Sequence, residues 1–392
     1  MKRSSLFNFS NLSVLLFSAS FALSGCAGHG DSEEGSCPFH AEDEAAAETI
    51  VADESSDGMA GDALIYEQEK HFKNMRQLTF GGDNAEAYWS FDSESLVFQA
   101  TNPQWNLSCD QIFVMELGKD KPSRKPPTMV STGYGRTTCA YFLPGDQDIV
   151  YASTHLADSA CPETPHRGPG DKYVWPVYEG YDIFLVNRQG ENLRQLTFEA
   201  GYDAEATVSP KGDRMVFTST RNGDLDLYTM ALDGSDVRRV THELGYDGGA
   251  FFSPDGEWLI WRANRPAGEE AEVYKSLLAQ GLVQPTEMEL FIGRADGTEQ
   301  RQLTNLGGAN WAPYFHPSGE KVLFCSNHES GKFPFNLFMI DIDGTNLEKV
   351  TFDSDFDSFP MFSPDGKRVA FSSNRNNGRT RHTNMFVADW VD

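Results

Sequence analysis

From about residue 75 to the C-terminus, short apolar runs alternate with clusters of Gly, Asp, Asn and Pro. The runs MVFTS (215–219) and VAFSS (369–373), and the alternating DLYTMAL (226–232) and LFMIDI (337–342), have the length and β-branched or aromatic content of strands. The breakers between them, Ser-Pro-Asp-Gly and the Asp-Gly of LDGSD and IDGTN, are tight-turn sequences in which Gly supplies a positive φ. The whole pattern repeats. Its clearest copy runs from Leu193 to Leu232, and others begin at Arg76, Thr128, Val237, Arg301 and Glu348. A period of about 45 residues built from four short strands predicts the blades of an all-β propeller.

Complete sets of the first three strands (a, b and c) begin near Asn84, Thr137, Asp203, Asp247, Asn310 and Asp357, which predicts six blades. The last set ends at the C-terminus with NMFVADWVD and lacks a strand d. The first RQLT phrase, Arg76–Thr79, precedes the first strand a and lacks a blade. The two defects cancel if residues 75–80 complete the last blade, closing the ring without an unpaired edge.

In such a blade the d–a and b–c connections share one face, here called the top. The b–c connections carry the insertions: Asn102–Cys109 in blade one, His155–Gly180 in blade two and Pro266–Glu287 in blade four. Long loops gathered on one face mark the working face. The blade-two insert holds Tyr173, Trp175 and Tyr178, either a stacking platform for a ligand or packing against the rim. The blade-four insert reads as an amphipathic helix from about Glu269 to Gln280, with Val273, Leu277 and Leu278 on one side and Gly281 closing it.

A polar ring collects on the same face. Asn84, Thr137, Asp203, Asp247, Asn310 and Asp357 share the first position of strand a, and Glu86 and Glu205 lie two residues further on. Asn102, His155, Arg221, Arg265, His328 and Arg375 follow strand b. Two readings stand: salt bridges that stabilise each repeat, or a charged funnel for a ligand in which Asp247, Asn310 and Arg136 remain unpaired. Trp175 and Trp311 would add apolar contact.

Composition narrows the class. The chain has 392 residues, 58 Asp and Glu against 32 Lys and Arg, and a formal charge of −26, which argues against nucleic acid as a partner, since phosphate binding needs a basic face. With 28 Phe, 13 Tyr and 7 Trp it has ample material for a core between packed sheets. Lys2, Arg3 and the apolar run Val14–Leu23 have the form of a secretory signal, too short to span a membrane comfortably. Leu23-Ser24-Gly25-Cys26 resembles the bacterial lipobox, which implies cleavage before Cys26 and its acylation; a plain signal peptide with an incidental Cys is the alternative. Ala27 in place of Asp favours the outer membrane, facing the periplasm. Residues 26–62, acidic and poor in core-forming side chains, read as a flexible tether interrupted by Cys37 and His40; the propeller then occupies 63–392.

The pattern LT…D…SPDG…(I/V)xFxSxR…LFxMDxDG resembles the TolB-type propeller repeat over roughly residues 75–392. Blade one departs at Phe91, in place of the turn Pro, and blade two at Leu143-Pro144-Gly145-Asp146. The resemblance implies a six-bladed propeller that binds partners in the cell envelope, and does not imply catalysis. The extra N-terminal domain of TolB itself has no counterpart in the short acidic tether.

Outside the inner membrane disulfides are permitted. Cys109 and Cys161 lie in top-face inserts of adjacent blades and form the expected pair, with Cys109–Cys139 the alternative; Cys325 reads as a buried thiol. The chain has no G-x-S-x-G, H-E-x-x-H or C-x-x-C motif, and His155 and His328 come from blades that are not neighbours. The expectation is a monomeric, non-catalytic envelope lipoprotein without metal or cofactor, binding a protein or peptide at its top-face funnel. The alternative is a carbohydrate lyase or hydrolase using a divalent ion at the same funnel.

Overall fold

The computed structural model describes residues 62–392 apart from 108, 119–124, 166, 171 and 379. The signal, residues 26–61 of the tether with Cys26, Cys37 and His40, and His166 lie outside the described residues.

Six four-stranded antiparallel sheets form a closed propeller. Their innermost strands are Asp83–Trp89, Thr137–Phe142, Asp203–Val208, Asp247–Phe252, Asn310–Phe315 and Asp357–Phe362. These six strands neighbour one another around a central channel.

The core is a repeated contact between strands b and c. Phe98 faces Phe113, Tyr151 faces Phe184, and Phe217 faces Tyr228. Trp261–Phe291, Phe324–Phe338 and Phe371–Phe386 complete the series. The six ring pairs sit at centroid separations between 5.8 and 6.1 Å. Offset pairs at this distance add stabilisation beyond the area they bury.

The recurring Leu-Thr phrase has a specific task. In each blade the apolar residue of the phrase donates its N–H to a strand-c carbonyl, as Leu196 does to Ile183 at 2.7 Å. The next hydroxyl returns the favour by accepting that residue's N–H: Thr197 from Ile183, Thr241 from Leu227, Thr304 from Leu290 and Thr351 from Leu337. Ser131 does the same for Ile112. This satisfies a strand-c N–H after strand d has ended, where it would otherwise be buried without a partner.

Ring closure follows the sequence-based expectation, with the closing strand three residues earlier. Phe72–Gln77 pairs with Asn384–Trp390 in blade six. Thr79 accepts the Met385 N–H at 2.9 Å, as its counterparts do within their own blades. A buried ion cluster locks the seam. Arg375 gives both terminal nitrogens to Glu69, each at 3.0 Å, and one of them also to Asp357 at 2.9 Å. All three side chains are buried.

The two degenerate bottom turns support each other. Asp146, in the departed turn of blade two, accepts the Phe91 and Asp92 N–H groups of the departed turn of blade one at 2.7 and 3.0 Å.

Arg375→Leu would leave Glu69 and Asp357 buried without a cation, and removing one partner from such a cluster costs about 3–5 kcal/mol. Equilibrium urea denaturation should register that loss. Lys367→Leu, at an exposed bottom-face position, should change stability by no more than about 0.5 kcal/mol.

Candidate functional site

The top face is partly roofed. The helix Glu269–Leu278 has three acids in its first turn, favourable to its dipole, and Gly281 follows it with φ +70°. Its buried residues are Ala271, Tyr274 and Leu277, while Val273 is exposed, so the buried side is rotated from the one that the apolar spacing predicts. Tyr274 fixes the rotation by donating its hydroxyl to Asp224 at 2.6 Å. Leu282–Val283 then pairs antiparallel with Trp175–Pro176. The inserts of blades two and four thus join into a strap across part of the channel mouth.

Trp175 stands on the channel side of this strap. Its ring lies 5.0 Å from that of Trp311, which in turn stacks on Phe335 at 4.6 Å. Trp311 is buried and donates its indole N–H to Pro285 O at 2.9 Å, so it is not the exposed top-face contact expected of it. Tyr178 bonds to Thr164 and to the Glu163 carbonyl, and Tyr173 accepts from the Trp175 indole. The disulfide Cys109–Cys161 ties the blade-one and blade-two inserts together; Cys139 and Cys325 are buried thiols.

The polar ring divides into two populations. Asn84, Asp203, Asp247, Asn310 and Asp357 are buried inside their blades. Asp203 pairs with Arg221 at 2.8 Å, Asp247 with Arg265 at 2.7 Å and Asp357 with Arg375 at 2.9 Å. Asn84 donates to Gly81 O and Thr383 O, and Asn310 donates to Met288 O and accepts from Ser326. The bases after strand b lie on their own blade's aromatics: His155 on Phe184, His328 on Phe338, Arg221 on Phe217 and Tyr228, Arg265 on Phe291. Asn102 caps a short 3-10 turn. The expectation that Asp247, Asn310 and Arg136 stay unpaired is corrected. Asp247 and Asn310 are held as above, and Arg136 donates to Asp110 at 2.6 Å. Burial without partners would cost each of these groups several kcal/mol.

The second population faces the channel. Every strand a carries a bulge two residues after its first ring position, where φ is positive: Glu86, Cys139, Glu205, Gly249, Ala312 and Phe359. The bulge re-aims the residue it carries toward the axis in each blade, and in blade four that residue, Gly249, has no side chain. Glu205 is fully engaged there. It accepts from the Thr218 hydroxyl at 2.7 Å, the Gly249 N–H at 3.0 Å, the Tyr246 hydroxyl and Arg262. Arg262 reaches the axis because blade four has Gly249 at the bulge; any Cβ there would collide with its guanidinium. The guanidinium also lies 5.4 Å from the Trp175 ring centre, which couples the strap to the channel cluster.

A cavity of about 200 Å³ opens at this mouth. Of the sequence-predicted residues it brings together Glu86, Arg136, Thr137, Tyr173, Trp175, Tyr178, Glu205 and Trp311. Sequence reasoning missed Asp83, Asp110, Cys139, Tyr202 and Arg262, which also line it. Glu86 is half-buried and accepts from the Cys139 thiol at 2.9 Å. Desolvation raises Glu86 to about 6 and Asp83 to about 7, the latter helped by neighbouring Asp110. Burial, with Glu86 and Glu205 nearby, pushes the Cys139 thiol well up and opposes the thiolate a nucleophile requires. Among the described residues, no group of three or more His, Cys, Asp or Glu is placed to hold a metal ion. The arrangement is one of locked ion pairs and aromatic walls, suited to recognition.

Comparison with known proteins bears on the fold. Residues 177–283 match the model of the TolB beta propeller domain. A putative TolB from Agrobacterium tumefaciens is similar at 19% identity and a TM-score of 0.52, over 79% of this chain and 91% of that one. TolB from Acinetobacter baumannii aligns at 17% identity and TM-score 0.46, over 79% of this chain and 63% of its own. An oligogalacturonate lyase from Vibrio parahaemolyticus aligns at 12% identity and TM-score 0.45, over 82% and 94%. No curated protein matches the chain in sequence.

Two outcomes follow from this geometry. Arg262→Met should cost about 3–5 kcal/mol in denaturant by stranding Glu205, and Arg262→Met with Glu205→Gln should recover part of it. Glu86 has a folded pKa raised from its ordinary 4.5 to about 6, so its contribution is complete below pH 4.5 and is lost as pH rises through 6. Across that window wild-type stability should therefore fall relative to Glu86→Gln, as read by denaturation at successive pH values.

Proposed function

Since the chain carries a six-bladed β-propeller of the TolB type, we propose that it is a non-catalytic binding module of the bacterial envelope, receiving a protein or peptide at its channel mouth. In this reading acylated Cys26 anchors it to the outer membrane, facing the periplasm, and residues 26–62 are the tether. The Cys109–Cys161 bond suits an oxidising compartment. The observation that carries the reading is the cavity beside the strap. Its two guanidiniums are fixed by carboxylates of the same wall, and the wall is otherwise aromatic and polar. Such a surface is pre-organised for a segment to enter, and preorganisation lowers the entropic cost of binding. A protein without further chemistry to perform needs only this. A metal-assisted lyase or hydrolase at the same cavity is the second reading. Asp83 and Glu86, elevated carboxylates in one cavity, are the features that favour it. The histidines it would call on, His155 and His328, lie against Phe184 and Phe338 in separate blades.

The test uses the full lipoprotein in cells with a photoreactive residue at Phe198, which is 75% exposed after strand d of blade two on the top face. Lys367, on the bottom face, is the control. A discrete protein adduct from Phe198 alone is the expected result, identified by mass spectrometry. Absence of an adduct from both positions would sink the stable-partner reading.

A further inference from the structure

The charges of the cavity wall do not balance. Asp83, Glu86, Asp110 and Glu205 face two cations, Arg136 and Arg262. Arg136 is bonded to Asp110 and Arg262 to Glu205. Neither Asp83 nor Glu86 has an ion pair in direct contact among the described residues; Arg262 acts on Glu86 only from a distance, and desolvation works against the charge on each. Glu86 has only the Cys139 thiol and a long contact of 3.4 Å from the Tyr88 hydroxyl. Two carboxylates withdrawn from water and turned toward an open cavity are an unmet demand for positive charge.

The wall specifies which kind of positive charge. A bare divalent ion asks for six or more converging oxygens, and no cluster of three candidate ligands exists among the described residues. Aromatic side chains, among them Trp175, Tyr178, Tyr181 and Tyr202, make up much of the remaining lining of the same cavity. Aromatic faces attract an organic cation and shelter an alkyl stem. An anionic ligand would meet two uncompensated negative charges. From this, and resting on the partner-binding reading above, we infer that the cavity takes an organic ammonium group, its nitrogen drawn to the carboxylates Asp83 and Glu86 of the wall and its apolar stem against the aromatic lining. A lysine side chain and a free amino terminus share this chemistry, and a cavity of about 200 Å³ holds one such group, not a polymer.

The experiment titrates the full chain with n-butylammonium, n-butanol and n-butyrate at about pH 8, where both carboxylates are ionised and the amine is charged. Tryptophan fluorescence and calorimetry follow binding. n-Butylammonium should saturate, at least about tenfold tighter than either isostere. Asp83→Asn with Glu86→Gln should abolish the preference, whereas Glu287→Gln, an exposed acid on the strap, should leave it intact. Nα-acetyl-lysine amide against triglycine amide then identifies the source: tighter binding of either, over n-butanol, supports the inference. Equal affinity for n-butanol and n-butylammonium would overturn it, as would no saturation up to about 50 mM. The comparison on wild type stands even if the double variant fails to fold. A cross-linked partner retained by the double variant, with no n-butylammonium binding by wild type, overturns the ammonium inference alone. Saturable n-butylammonium binding with no cross-linked partner overturns the partner reading alone.

Discussion

A strand that ends inside a packed blade leaves its neighbour's N–H groups without acceptors, and the rest of this fold depends on how that deficit is met. Strand d is short, as in Arg194–Gln195 or Arg238–Arg239. The Thr or Ser that follows it continues the ladder with a side-chain hydroxyl. The same hydroxyl donates in turn to the first residue of strand c: Gln111, Asp182, Asp226, Glu289, Asn336 or Asn384. Because Thr79 performs this task for blade six, 300 residues away in sequence, the ring closes through the same bond that finishes each blade.

Closure fixes the channel, and the channel fixes the site. With six strands held around one axis, the bulge in each strand a presents one residue inward. Four of the six positions carry small, apolar or thiol groups, and two carry glutamate. Buried carboxylates so close demand compensation, and only one is compensated in full. Arg262 reaches Glu205 across the space that Gly249 leaves open. Glu86 keeps a thiol as its nearest donor. The asymmetry of the cavity thus originates in single residues that depart from the repeat.

The strap adds a second asymmetry. It joins inserts from blades two and four and rests Trp175 on Trp311 and Arg262. It covers one side of the mouth and leaves the Asp83–Glu86 side lining the cavity.

The sequence by itself determined blade number, ring closure and the face that bears the insertions, because each is written in local periodicity repeated along the chain. It also put Asp203, Asp247 and Asp357 and the arginines Arg221, Arg265 and Arg375 at fixed offsets within one repeat, and offered their pairing as one of two readings; the structure pairs all three, Asp247 included. It did not tell which ring members are sealed inside blades and which face the channel, because burial depends on how neighbouring sheets pack. One signal was present and unread: a column holding Gln99, Ala152, Thr218, Cys325 and Ser372 contains an arginine at 262, opposite the glycine at 248 and beside a second glycine at the bulge, 249. The pairing of Trp175–Pro176 with Leu282–Val283 had no such signal. Two short segments of unrelated inserts, about a hundred residues apart, meet only because the closed ring holds their roots at a set distance. The part of the cavity wall that carries Trp175 exists through that meeting, and only the tertiary structure decided it.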